Sequence, residues 1–182
     1  MLLVGCRPKG RHTEQHDVIF SVATSIKALV PEIIACWPEA KGVIHVDAWR
    51  EVHWVDGYRI TVQPFEGEPI ATDTPSMKLF FINLGGYKKN EFEEFHYKMV
   101  VAAANKSEAI KKARKTAFFK HTGFNSAPAH VDDKYGIDVD ELYDIKEMLS
   151  ARIKKEYTIR ISPSNVCGQD ELHLGYFKLN NL

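Results

Sequence analysis

Four short strings in this chain set an imidazole two residues from a carboxylate: Glu14-Gln-His16, His45-Val-Asp47, Glu94-Phe-His96 and His130-Val-Asp132. Side chains two positions apart on a β-strand share a face, so each string would offer one nitrogen and one oxygen donor side by side. Such a set could ligate a divalent metal such as zinc, manganese or iron, or hold a general base against its carboxylate. The plainer alternative is a hydrogen-bonded pair that anchors the loop following Gly5 or Gly85. Spacing alone does not choose between them, and no complete catalytic motif accompanies them.

Other chemistry-bearing residues are fewer. Arg7, Lys9 and Arg11 form a basic loop ahead of Glu14 and His16 that could hold a small anion. Cys6 stands beside an apolar run without the partners of a cysteine hydrolase, and reads as a packing residue. Gly85-Gly86 follows an apolar run as a phosphate-binding loop would, but the next element reads as a strand and the Walker and dinucleotide patterns are absent. Those glycines are expected to serve a tight bend or a close backbone approach. Trp37, Trp49 and Trp54 read as core or interface aromatics.

The elements that must position these residues come in two similar sets. Gly5, Lys9, Glu14 and His16 recur as Gly85, Lys89, Glu94 and His96, each 80 positions on. Downstream, His45-Val-Asp47 matches His130-Val-Asp132 at an offset of 85, which also pairs Tyr58 with Tyr143 and Ile60 with Ile145. An insertion within 123–128 accounts for the change, since loops accept insertions cheaply. The reading is an internal duplication.

Within each copy, an apolar run (1–4, 79–84) predicts a buried strand, and a β-branched and aromatic run (16–23, 96–103) predicts its antiparallel return. Ile26, Leu29, Val30, Ile33, Ile34 and Trp37 lie at helical spacing. Pro31 either kinks that helix or opens a new one as its first residue. In the second copy Ser107 is the expected N-cap of a helix over 108–119. His-Val-Asp then lies on a third strand. A fourth follows near Tyr58, or near Tyr143, where 140–148 could instead be helical; two further strands, 157–161 and 172–179, close the chain.

The predicted fold is therefore α+β, with two tandem β-β-α-β-β units, each an antiparallel sheet with a helix on one face, related by a pseudo-two-fold. The domains are expected at 1–62, a proline- and glycine-containing linker at 63–76, and a second unit with extra C-terminal strands at 77–182.

The totals exclude several classes. Hydrophobic residues make up 45% and charged residues 26%, which is globular composition. Lys plus Arg and Asp plus Glu are 24 each, so no net field draws in a phosphate backbone and nucleic acid is not expected. Three scattered cysteines suit a reducing cytoplasm, and no apolar run approaches a membrane span.

The strings Gly5 to Asp17, Asp47-Ala-Trp-Arg-Glu51, Gly85-Gly-Tyr87 with Phe92-Glu-Glu-Phe-His96, and His130 to Gly136 resemble a bacterial family described as domain of unknown function 1543. The resemblance covers nearly the whole chain and implies the duplication and a bacterial source. It carries over no activity, cofactor or catalytic residue. The leading expectation is a non-catalytic binding or interaction module. The alternative is a metal-dependent or acid–base enzyme working through the repeated pairs; a homodimer formed through exposed sheet edges is a third reading.

Overall fold

The computed structural model describes residues 1–67, 76–87, 90–115, 139–166 and 168–182. The chain divides into two compact units, one formed by Met1–Glu66 with Met148–Leu182 and the other by Gly67–Glu147. Both are α+β with antiparallel sheets.

In the first unit, β1 (Leu2–Cys6) and β2 (Gln15–Ile19) form a hairpin, and β3 (His45–Trp49) pairs with the other edge of β1. Between β2 and β3 the chain makes a 3₁₀ turn over Lys27–Leu29 and a helix, α1 (Val30–Cys36). Pro31 sits in the first turn of α1, where its missing N–H is no loss; of the two outcomes expected at this proline, the new helix is the one found. Leu29 and Ile33 from the apolar stripe are buried against Leu2, Val4, Cys6, Ile44 and Val46. The helix thus covers one face of the sheet.

The strands β4 (Trp54–Val55) and β5 (Tyr58–Pro64) make a hairpin across Asp56 and Gly57, both with positive φ, the turn chemistry that matches strand twist. Late in the chain come β9 (Tyr157–Pro163) and β10 (His173–Lys178). Here the expected domains are corrected. The C-terminal strands join the first unit: β9 pairs with β5 along its length and β10 with β3, giving sheets ordered β4-β5-β9 and β10-β3-β1-β2. Both β3 and β5 offered open edges, and pairing satisfies their backbone groups. The expected linker begins inside β5, since Gln63 and Pro64 pair with Thr158 and Tyr157; residues 68–75 lie outside the described ones.

The second unit holds β6 (Lys78–Tyr87), β7 (Glu94–Ala103), α2 (Lys106–Ala113) and β8 (Val139–Asp144), with sheet order β7-β6-β8. Its core is Phe80, Ile82, Leu84, Val101, Ala103, Ala109 and Ala113. The cap of α2 is Asn105, whose side chain accepts the Glu108 N–H at 2.9 Å, while the Glu108 carboxylate accepts the Ala104 N–H at 2.9 Å. Ser107, the expected cap, is already helical. Replacing Asn105 by alanine should cost about 0.5–2 kcal/mol, readable as a lower urea midpoint with an unchanged slope. Within 140–148 the chain is strand first and helix second, with α3 (Ile145–Met148) following β8. A last helix, α4 (Ala151–Glu156), capped by Ser150, leads into β9.

The strand registers correct the expected offset. Gly5 faces His16 across β1–β2, and Gly85 faces His96 across β6–β7. On the other side of each central strand the pairing slips at the same point, between Leu3 and Val4 in one unit and between Asn83 and Leu84 in the other. Val4 pairs with Val46, and Leu84 with Val139. The strand in the place of β3 is therefore Val139–Asp144, not the His130-Val-Asp132 string, and Asp140 occupies the register position of Asp47. His130 and Asp132 lie outside the described residues. Tyr58 and Ile60 belong to β5 beside β9, whereas Tyr143 belongs to β8 beside β6, so those matches do not correspond in the fold.

Candidate functional site

The face of the β10-β3-β1-β2 sheet opposite α1 carries the polar residues. Alternation puts Val4, Cys6 and Val46 toward the helix and Gly5, His45 and Asp47 away from it. Gly5 is the cross-strand partner of both His16 and His45. Having no side chain, it leaves a hollow into which the neighbouring side chains close. An added β-carbon would lie 2.7 Å from the Asp47 Oδ2 atom, 2.7 Å from the His45 Nε2 atom and 3.1 Å from the His16 Cδ2 atom. Space, not a left-handed backbone, is what calls for glycine here.

Around that hollow four side chains close a ring. The His16 Nε2 atom is 3.7 Å from one Glu14 oxygen and 3.3 Å from Asp47 Oδ2. The His45 Nε2 atom is 3.2 Å from the other Glu14 oxygen and 3.1 Å from Asp47 Oδ1. Each carboxylate thus shares its two oxygens between the two imidazoles. The ring is graded in depth: the His45 side chain is 7% exposed and Asp47 25%, while His16 and Glu14 are 40% and 44% exposed. His16 and Glu14 form the mouth.

Close approach has not produced hydrogen bonds. The His45 Nε2 and Asp47 Oδ2 atoms are buried and form none with any described residue; the separations suit a hydrogen bond and the directions do not. The Tyr176 ring of β10 packs on His45, with centroids 4.1 Å apart and planes at 32°. Beside it Trp49 stacks on His173 at 3.8 Å and 10°. These aromatic neighbours were not legible in the sequence, because β10 reaches β3 only by a long-range pairing.

The other expected site residues are placed differently. Arg7, Lys9 and Arg11 are exposed on the loop that joins β1 to β2, turned by the Arg11 N–H bonding the Pro8 carbonyl and by Gly10 at φ 88°. Glu94 and His96 begin β7, with His96 exposed.

Cys6 is a core residue, as its apolar setting predicts. Burial, and then the Glu14 carboxylate, raise its thiol above the ordinary value. Cys36 is exposed at the end of α1; its thiol donates to the Ile33 carbonyl at 3.0 Å and is pushed up to about 11, chiefly by partial loss of solvation and then by Asp17. A raised pKa leaves less thiolate at neutral pH. Alkylation of Cys36 by iodoacetamide should therefore be slow at pH 8 and climb toward pH 11; a rate that levels off near the ordinary thiol range would contradict this.

A polar ring on the open face of an antiparallel α+β sheet is the class of site present. Residues 11–62, which span Glu14 to Asp47, match the family model Domain of Unknown Function (DUF1543). No curated protein matches the chain significantly. Among solved structures, the crystal structure of a protein Il1583 from Idiomarina loihiensis is similar, with a TM-score of 0.60 and 21% identity over 98% of this chain and 94% of that one. That likeness shows the α+β fold. Among the described residues, no helix is long and apolar enough to cross a membrane.

Proposed function

We propose that this chain is a cytoplasmic, non-catalytic protein that binds a small ligand, built from a duplicated α+β unit, with its binding centre in the hollow over Gly5. One observation carries the reading: Glu14, His16, His45 and Asp47, delivered by a loop and two strands, converge over a glycine whose missing side chain lets them approach this closely. A pair serving only to anchor the loop would need Glu14 and His16 alone. The buried, unbonded atoms of His45 and Asp47 each cost on the order of 1–3 kcal/mol, a burden that a bound ligand relieves. The shared registers at Gly5 and Gly85, with a slip at the same place in both units, support the duplication. Free thiols at Cys6 and Cys36 support the cytoplasmic setting.

The test is thermal-shift screening of untagged protein, in the presence of a chelator, against small organic anions, nucleotides, sugars and amino acids. A ligand of this site raises the midpoint of the native chain by several degrees and leaves the Gly5→Ala variant unmoved. A panel in which every hit stabilises both proteins alike, or a blank panel from a chain that also binds no metal ion, would remove the reading.

A further inference from the structure

We infer that the ring over Gly5 is a site for one first-row divalent transition metal ion of the zinc, iron(II) or manganese class. The inference rests on the binding reading above and names its ligand. Three features point the same way. First, four donor-bearing side chains, two imidazoles and two carboxylates, meet from two chain stretches, 14–16 and 45–47, the mixed nitrogen and oxygen set these ions take. All-oxygen ions such as magnesium and calcium are served poorly by two imidazoles.

Second, the spacing fits. Donors about 2.1 Å from a central ion stand roughly 3.4 Å apart at tetrahedral corners and about 3.0 Å apart at adjacent octahedral ones. The four nitrogen-to-oxygen contacts around the ring, each to a different carboxylate oxygen, fall in the same range at 3.1, 3.2, 3.3 and 3.7 Å. As placed, no group of three or more His, Cys, Asp or Glu side chains among the described residues could hold a metal ion, so the site needs its carboxylates to turn. Each carboxylate here turns one oxygen toward each ring, and a modest rotation about its terminal bond would aim one at the centre. The donor set and the orphaned atoms outweigh the present aim of two carboxylates, one of which, on Glu14, is 44% exposed.

Third, the deepest nitrogen lacks a hydrogen bond, although carboxylate oxygens of Asp47 and Glu14 stand 3.1 and 3.2 Å away. His45 is 5% exposed, and its Nε2 atom points into the ring without a hydrogen bond to any described residue. Two carboxylates bring two negative charges, which a divalent cation balances. Gly5 is then the floor of the site, since a β-carbon would stand where His45 and Asp47 approach most closely.

Cobalt(II) is the probe, because its visible spectrum reports coordination. Untagged protein stripped with a chelator is titrated with Co²⁺, then back-titrated with Zn²⁺, following absorbance and heat. One equivalent per chain is expected, with ligand-field bands that Zn²⁺ removes. Glu14→Gln and His16→Asn, both at the exposed mouth where folding is little affected, should weaken Co²⁺ binding roughly 100-fold or more; circular dichroism verifies their fold. His53→Asn, which alters a surface pair with Glu51 at 2.7 Å, should leave the single equivalent intact. Absence of Co²⁺ binding, or binding indifferent to Glu14→Gln and His16→Asn, overturns the inference. If the metal-free screen still yields an organic ligand lost in Gly5→Ala, only the metal assignment falls; if both experiments are blank, the binding reading falls with it.

Discussion

Gly5→Ala is expected to abolish binding at the ring while leaving the chain folded. The new methyl group would sit 2.7 Å from both Asp47 Oδ2 and His45 Nε2, closer than any real contact, so those side chains must turn away. Gly5 does not depend on a glycine-only backbone angle, and alanine in a strand gains about 0.5–1 kcal/mol over glycine in conformational entropy. Overpacking costs about 1–3 kcal/mol. The net loss of stability is therefore small, and the loss of ligand affinity is the larger effect, about 100-fold or more by analogy with displaced metal ligands. Urea unfolding and the Co²⁺ titration together check this. A Gly5→Ala protein that binds as tightly as the native chain would show that the hollow is not where ligand sits.

The second large effect is at the opposite face of the same sheet. Ile33 is 1% exposed and packs with Leu2, Val4, Cys6 and Val46. Val4 and Val46 are the immediate neighbours of Gly5 and His45, so the packing beneath holds the ring above at its spacing. Ile33→Ala should destabilise the chain by about 2–5 kcal/mol, a large share of the roughly 5–15 kcal/mol typical of folded proteins. Ile33→Val should cost only about 0.5–1.5 kcal/mol. Urea midpoints for the two variants give the comparison; equal and small losses would mean that α1 is not the element that closes this core.

The registers also separate the repeated letters that share a place in their sheets from those that do not. The offset of 80 that joins Gly5 and His16 to Gly85 and His96 follows a hairpin, whose pairing is local and leaves its spacing in the letters. The third strand is a long-range partner separated by a helix and loops of free length. There the match of His45-Val-Asp47 to His130-Val-Asp132 led away from Val139–Asp144, the strand that the ladder selects. Likewise the last two strands follow the second copy in the chain yet pair with β3 and β5 of the first unit. Open strand edges recruit whatever complementary strand reaches them, and chain order does not restrict which one does.

From the letters alone came what depends on neighbours: the alternation that sets His45 beside Asp47, the proline that must kink the helix or open a new one, and the apolar stripe that buries Ile33. The tertiary structure decided that this pair meets Glu14 and His16, that Gly5 is the gap between them, and that Tyr176 walls one side. The physical reason is the range of the interactions. Dihedral preference and strand period act over a few residues, whereas a ring drawn from a loop and two strands exists only once the β1–β3 ladder has closed across the helix between them.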